Sequence, residues 1–370
     1  MRILHVTESR SWSGGTVQLW HLCKALVRDG HEAGLFCPPE AELLKHVPGS
    51  GVRAWVRAMR QDYDLPAAWA LARAVRKFRP DVVHAHHPKA HALALLAGFF
   101  APIPKLVVSR RVSFRFKPWN IFSHLKYRTG RIAAYTAVSA DIGRGLIDQG
   151  VSADKVHVIH SGVDVDRFAP RAPEESVRTQ LGLPAGVPIV GNLNHFSWWK
   201  GQAEFLEAAR RFIDSGGPKA RFLLVGKDTD GPEAREKVRA LGLEDHVTLA
   251  GFRTDMPEVI SLLSLTVLSS LAGEGFSGVL REAMSMGVPV VATDVGGNKE
   301  LVEDGVTGLL TPPGDADALA RAMNRMLSDG KLAKSCAGEA QRRVRENYSI
   351  NAMTVKTVAL YRKLLTERND

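Results

Sequence analysis

The chain has 370 residues, 45% of them hydrophobic and 24% charged, with 33 Gly and 19 Pro. That is about two to three common domain lengths of ordinary globular composition, which excludes a small stapled scaffold or a collagen-like repeat and predicts two domains with separate cores. The formal charge is +10, and the three cysteines (Cys23, Cys37, Cys336) lie far apart, which excludes a disulfide framework or a zinc cluster and suits a reducing compartment.

In chain order, short apolar runs alternate with helix-length amphipathic stretches, the pattern of parallel strands joined by crossover helices, so the expected class is α/β. Residues 2–7 read as a strand, 9–15 as a loop, and the stretch through about Asp29 as a helix. Residues 32–37, 81–84, 105–109 and 134–139 read as further strands, with an Ala- and Leu-rich helix after the second of them. The rhythm restarts with strands at 188–191, 221–225, 247–250, 265–268, 288–292 and 308–310, and helices such as 201–215 and 232–241. Residues 164–187, polar and punctuated by proline, read as a hinge. A domain of residues 1–167 precedes a domain of residues 168–349, and the last helix, 352–367, is placed to cross back onto the first. Two doubly wound sheets facing one another bind ligands outside the C-terminal ends of their strands. Residues 1–9 lack the apolar core and cleavage site of a signal peptide. The best apolar run, residues 90–108, is broken by His91, Pro102, Pro104 and Lys105, so no bilayer span is expected and the predicted location is cytoplasmic.

The charge is unevenly held. Residues 1–167 carry 24 Lys+Arg against 13 Asp+Glu, and the remainder 25 against 26, so the excess belongs to the first half. Residues 82–140 hold nine basic residues and no acidic one, interleaved with Phe114, Phe116, Trp119, Phe122 and Tyr127. Bases mixed with aromatics suit an anionic membrane surface, with Arg115, Lys117 and Lys126 as docking cations. A solvated basic face is the plain alternative. Nucleic acid is disfavoured, because no helix-turn-helix, zinc finger or RNP-like motif accompanies the charge.

The strongest local signal is Gly273-Glu274-Gly275-Phe276-Ser277-Gly278, leading into a helix that carries Glu282. A Gly-rich turn at a helix N-terminus offers free N–H groups and a partial positive charge to a diphosphate. Carboxylates such as Glu274 and Glu282 can accept pairs of sugar hydroxyls, although Glu274 read alone is equally a charge favouring the helix dipole and Glu282 a surface residue. The spacing resembles the Glu-x7-Glu motif of the retaining GT-B glycosyltransferases, in particular glycosyltransferase family 4. Ser13-Gly14-Gly15, Asp81-Val82-Val83-His84-Ala85-His86, His160-Ser161-Gly162-Val163-Asp164 and Val295-Gly296-Gly297-Asn298-Lys299-Glu300 resemble that family's recurrent stretches in the same order, over nearly the whole chain. The resemblance implies two Rossmann-like domains facing across a cleft, with Glu274 on the donor sugar and Glu282 on the ribose. It also implies that Gly14, Gly15, Gly275, Phe276 and Ser277 present backbone to phosphates, and that Phe252 and Arg253 lie beside the base.

Two positions depart from the family pattern. Where the family has an arginine before Lys-Gly, this chain has His195 before Lys200-Gly201. A histidine is charged only when protonated, so either donor binding is weaker or another cation such as Arg253 compensates. Where the family often places a histidine near the reacting sugar, this chain has Arg111, which can hold an anionic acceptor or the departing phosphate, or sit in a structural ion pair.

The resemblance implies transfer with retention, the donor phosphate helping to deprotonate the acceptor hydroxyl while Lys200, His195 and loop amides stabilise the leaving diphosphate. No cofactor is expected. Four Asp-x-Asp pairs, at 62/64, 164/166, 228/230 and 315/317, are too many in too different contexts to indicate a metal. His84, His86, His87 and His91 invite a metal reading, but packing or cleft-lining roles are favoured because no acidic or cysteine partner is near in sequence. Trp198 and Trp199 suit stacking on a sugar or plain packing. The expected partners are a nucleotide-sugar donor, a lipid-linked or lipopolysaccharide-type acceptor and the inner face of the cell membrane, without nucleic acid. A sugar-nucleotide epimerase or phosphorylase on the same fold, and a non-catalytic sugar-nucleotide-binding module, are the competing readings.

Overall fold

The computed structural model describes residues 1–112 and 121–367, so the expectations placed on Phe114, Arg115, Phe116, Lys117 and Trp119, and on the side chain of Phe122, lie outside the described residues. The chain divides into two compact units, one formed by Met1–Gly162 with the segment from Ile350 onward, the other by Val163–Ser349.

The first unit is built on seven strands: β1 (Arg2–Val6), β2 (Glu32–Cys37), β3 (Arg53–Val56), β4 (Val82–Ala85), β5 (Lys105–Arg110), β6 (Ile132–Ala137) and β7 (Val156–Val158). All pair in parallel, in the order β3-β2-β1-β4-β5-β6-β7, so the winding reverses between β1 and β4. Central strands covered on both faces must be nearly apolar throughout, and β4 and β5 are buried along almost their whole length. The edge strand β3 is exposed at three of its four residues, so it lacks the apolar run that marks the others. The sequence reading passes over it and over the helix Leu65–Phe78, whose N-terminus is capped by Asp64 accepting from the Ala67 N–H at 3.0 Å. The last helix, Ile350–Thr366, packs against the helix Gly14–Arg28, and its Met353, Leu360, Tyr361 and Leu364 join Ile3, Leu22, Leu26, Val82 and Val107 in one cluster. Each such large apolar side chain contributes about 1.5–3 kcal/mol on burial.

The second unit repeats the plan with β8 (Ile189–Asn192), β9 (Arg221–Leu224), β10 (Val247–Leu249), β11 (Leu265–Leu268), β12 (Val290–Thr293) and β13 (Leu309–Thr311), parallel and ordered β10-β9-β8-β11-β12-β13. Its core contains Phe205 and Phe212 packed edge-on against Phe222, at 5.9 and 5.7 Å between ring centroids. The segment read as a hinge, 164–187, is instead anchored to this unit. Its helix Glu175–Gln180 packs on Met256–Ser261, Arg171 pairs with Glu258 at 2.8 Å, and the Glu174 N–H donates to Ser261 Oγ at 3.1 Å. Buried Val177 gives the segment an apolar anchor that its polar composition concealed.

Candidate active site

In the second unit the winding reverses between β8 and β11, and the loops that follow these two strands come together. Gly201 has φ +67°, and a Cβ there would lie 1.9 Å from the Ser269 carbonyl oxygen, so only glycine lets the two loops approach this closely. Ser269 Oγ donates to the Gly201 carbonyl at 2.6 Å and accepts from Asn192 Nδ2 at 3.0 Å, while the Leu271 N–H donates to the Trp199 carbonyl at 2.9 Å. Gly296, with φ +52°, makes a second close approach, its would-be Cβ 1.9 Å from the Glu274 carbonyl oxygen, and the Gly297 N–H donates to that oxygen at 3.0 Å. The Val295-Gly296-Gly297 stretch thus seats the backbone of Glu274.

This scaffold brings Lys200 and Glu274 into an ion pair, Nζ to Oε1 2.7 Å, with side chains only 11% and 6% exposed. Ser270 Oγ donates to the same carboxylate oxygen, and the ammonium stands 4.3 Å from the Trp199 ring centroid. These two residues therefore hold each other, a cation and a carboxylate already positioned where the loops after β8 and β11 meet. His195 lies edge-on to Trp199 at 5.4 Å and is largely exposed. Partial desolvation and the neighbouring Lys200 lower its pKa, so at neutral pH its imidazole is uncharged.

Arg253, the other cation considered for the site, is held by a near neighbour. Its Nε pairs with Asp255 Oδ1 at 2.8 Å, so its cation is offset within its own loop. Phe252 beside it is 73% exposed and presents an apolar ring to solvent. Along the next loop the N–H groups of Gly275 and Ser277 have no hydrogen-bond acceptor among the described residues, and Ser277 caps the helix Gly278–Ser285 through its side chain. Phe276 turns inward, its ring 5.1 Å from Tyr348 and 5.4 Å from the Arg281 guanidinium, which makes its side chain a packing element. The Glu282 carboxyl makes no hydrogen bond among the described residues, and burial pushes it up to about 7, only partly opposed by the charges of Arg281 and Arg167. Such an acid gains from any ligand that brings it hydroxyl donors. Ser270, Ser269 and Asn192 were missed from sequence; the polar pair Ser269-Ser270 directly after an apolar strand was the available signal.

In the first unit the corresponding reversal lies between β1 and β4. Gly14 and Gly15 open the helix Gly14–Arg28, whose N-cap Ser13 makes no capping hydrogen bond with its side chain. A Cβ on Gly15 would lie 3.3 Å from Arg111 Cδ and 3.6 Å from His87 Nε2, so glycine lets the helix start lie against both. Arg111 donates to Ser161 Oγ at 3.3 Å and has no acidic partner among the described residues. Burial lowers its pKa to about 10, so it remains a cation at neutral pH. His87, fixed by Thr7 Oγ1 at 2.9 Å from Nδ1, is lowered to about 4 by burial and by the charges of Arg111 and Arg110.

His5 and the histidines at 84, 86 and 91 are interior. His5, His84 and His86 bring nitrogens within 4.8 Å of one another on β1, β4 and the residue just beyond it. His84 bonds to the Tyr361 hydroxyl at 2.5 Å and to Ser109 Oγ at 2.7 Å, tying the sheet to the last helix, and His5 Nδ1 meets His86 Nε2 at 2.9 Å. Desolvation keeps all three well below the usual imidazole range. His91 is buried against Tyr127, with ring centroids 4.8 Å apart. Of the residues expected on a docking face, Tyr127 is thereby placed inside and Lys126 is half-buried. Tyr127 is 5% exposed, and Lys126 pairs with Asp62 at 3.5 Å and donates to the Pro88 carbonyl at 2.7 Å.

Known proteins place this geometry. Residues 12–167 match the family described as Glycosyltransferase Family 4, and residues 185–329 match Glycosyl transferases group 1. A Streptomyces fradiae 2-deoxystreptamine N-acetyl-D-glucosaminyltransferase is 33% identical over 297 residues, 72% of this chain and 67% of the relative. A glycosyltransferase structure from Rickettsia africae superposes with a TM-score of 0.90 at 23% identity, covering 99% of each chain. Anabaena Alr3699/HepE in complex with UDP-glucose superposes with a TM-score of 0.82 at 26% identity, covering 98% of this chain and 100% of that one. With two parallel sheets of one winding order and a lysine and a glutamate paired where the loops after β8 and β11 meet, the chain belongs to glycosyltransferase family 4, an enzyme of GT-B architecture that uses nucleotide-sugar donors.

Proposed function

We propose that this transferase works with retention and without a metal, moving a sugar from a nucleotide donor to a lipid-linked or lipopolysaccharide-type acceptor at the inner face of the cell membrane. The observation that carries the site assignment is the Lys200–Glu274 pair, held nearly out of solvent beside the unpartnered amides of Gly275 and Ser277. In this reading the donor diphosphate lies on Lys200 and those amides, the sugar hydroxyls on Glu274, the ribose on Glu282 and the base on Phe252. The bond from the anomeric carbon to the phosphate oxygen breaks with its electron pair going to the diphosphate. The acceptor oxygen bonds to the same face, and its proton passes to a phosphate oxygen. The protein's contribution is then a set of charges fixed before the reaction begins.

Metal independence is supported by how aspartates in three of the four Asp-x-Asp pairs are used. Asp64 caps a helix, Asp62 pairs with Lys126, Asp164 accepts the Asp166 and Arg167 N–H groups, and Asp315 caps the helix Ala316–Ser328 while Asp317 pairs with Arg211. The membrane reading draws on a face of the first unit. Leu65, Trp69, Arg73 and Arg76 form one exposed stripe of the helix Leu65–Phe78; Arg73 stands over Trp69 at 4.9 Å, and Arg131 over the exposed Phe99 at 4.6 Å. Exposed aromatics with arginines across their faces fit an anionic lipid interface. No helix among the described residues is long and apolar enough to cross a membrane, so attachment would be peripheral.

The test is donor turnover. Incubated with a panel of nucleotide sugars that includes UDP-glucose, the protein should slowly hydrolyse one, accelerate when given a lipid-linked acceptor, and form a product of unchanged anomeric configuration in metal-chelated buffer. A donor isomerised without acceptor, or a donor left intact throughout, would remove the reading.

A further inference from the structure

At the end of the first sheet opposite Arg111, the N-terminal ends of β4, β5 and β6 leave a cavity of about 770 Å³, lined by residues of the first unit alone. Small-molecule sites occupy roughly 300–1,000 Å³, so the space is of ligand size. Three elements supply an apolar wall: Leu95 near the end of the helix Pro88–Ala97, Ile103 and Pro104 ahead of β5, and Leu364 and Leu365 from the last helix. The wall continues outward, because Leu365 is 40% exposed and Phe99, next to the lining Gly98, is 70% exposed. A lone exposed apolar residue needs no explanation, but two that extend the wall of an apolar cavity mark a surface waiting to be covered. The charge at this mouth has one sign. Arg131 stands over the Phe99 ring at 4.6 Å and has no acidic partner among the described residues. Lys155 is held at the edge by the Ile132 carbonyl at 2.9 Å, and Lys105 by the Glu367 carbonyl at 3.1 Å. The two acids of the lining are already engaged, Asp81 by the Arg2 N–H at 2.7 Å and Glu367 by Lys363 at 3.7 Å. An apolar wall with cations at its mouth matches a molecule that joins an apolar chain to an anionic head; a sugar or nucleotide, polar all round, would leave the wall unmatched.

We propose that this cavity binds an anionic amphiphile, its chain among Leu95, Ile103 and Leu364 and its head group on Arg131 and Lys155. None of these residues belongs to the donor loops of the second unit, so the site does not depend on the transferase reading. The probes are decanoate, 1-decanol as its neutral twin and acetate as its head without a chain, each titrated calorimetrically into the full chain at concentrations where decanoate forms no micelles. Decanoate should bind, decanol at least tenfold more weakly, and acetate not measurably. Arg131→Gln, at an exposed position, should weaken decanoate severalfold and leave decanol unchanged, whereas Ile103→Trp, which fills the cavity, should abolish binding of both. Equal affinity for decanoate and decanol, decanoate affinity unchanged in either variant, or displacement of decanoate by saturating UDP would each overturn the proposal, the last by assigning decanoate to the nucleotide site. If circular dichroism shows Ile103→Trp unfolded, Arg131→Gln decides alone: a severalfold loss supports the proposal and no loss overturns it. Vesicles of phosphatidylglycerol separate the two sources of such a ligand. Decanoate displaced by them supports the site with a bilayer lipid as its occupant, and decanoate bound undisturbed supports it with a dissolved fatty-acid anion.

Discussion

The two units share a winding order, yet the loops at their points of reversal are electrically opposite. In the second unit the lysine is already neutralised by Glu274, the histidine is uncharged and Arg253 is paired with Asp255. In the first unit Arg111 has no counter-ion among the described residues and lies near histidines that burial keeps neutral. One end is balanced before any ligand arrives; the other carries an unanswered positive charge. Identical topology therefore does not imply identical chemistry, because topology fixes where loops meet and side chains decide what they attract.

The contrast can be broken by experiment, most severely at the balanced end. Glu274→Ala or Lys200→Ala should each lower donor turnover by orders of magnitude with the fold retained in circular dichroism; near-native rates in both would place the chemistry elsewhere. Gly296→Ala should follow, since its Cβ collides with the Glu274 carbonyl at a positive φ. We expect about 2 kcal/mol or more of lost stability in denaturant titration, with loss of turnover. Tyr361→Phe removes a hydroxyl from the buried His84 nitrogen and should cost about 1–3 kcal/mol, read as a lowered melting temperature.

Glu282 gives the smallest effect and the sharpest sign. Its folded pKa, about 7, lies above the ordinary carboxyl value. The stability this shift confers is thus fully present below the unfolded pKa and is lost as pH rises from there through about 7. Glu282→Gln should flatten that slope in urea titrations between those limits. UDP affinity in the wild type should rise over the same interval as the carboxylate forms; a slope unchanged by the substitution would assign the titration to another group.

Much of this fold was legible because buried central strands must be apolar and crossover helices must follow them; β1, β2, β4, β5 and β6 announce themselves in this way. The edge strand β3 and the helix Leu65–Phe78 did not, since half-exposed elements carry a mixed pattern. At the site, the Gly-rich loop and its two glutamates were readable as a local motif. The Lys200–Glu274 pair was not, because its partners are 74 residues apart and only the close approach of Gly201 to Ser269 brings their loops together. The pairing of Arg253 was hidden for the same kind of reason: neighbouring Asp255 was visible in sequence, but its aim was not.

The discontinuity of the first unit has a consequence for biosynthesis. Tyr361, Leu360 and Leu364 complete a core begun by Ile3, Leu22 and Val82, so the earliest part of the chain to leave the ribosome waits for the latest. The uninterrupted stretch from Val163 to Ser349 holds all its own strands and can close first. A nascent chain arrested before Ile350 should accordingly show a protease-resistant second half beside a still-labile first half.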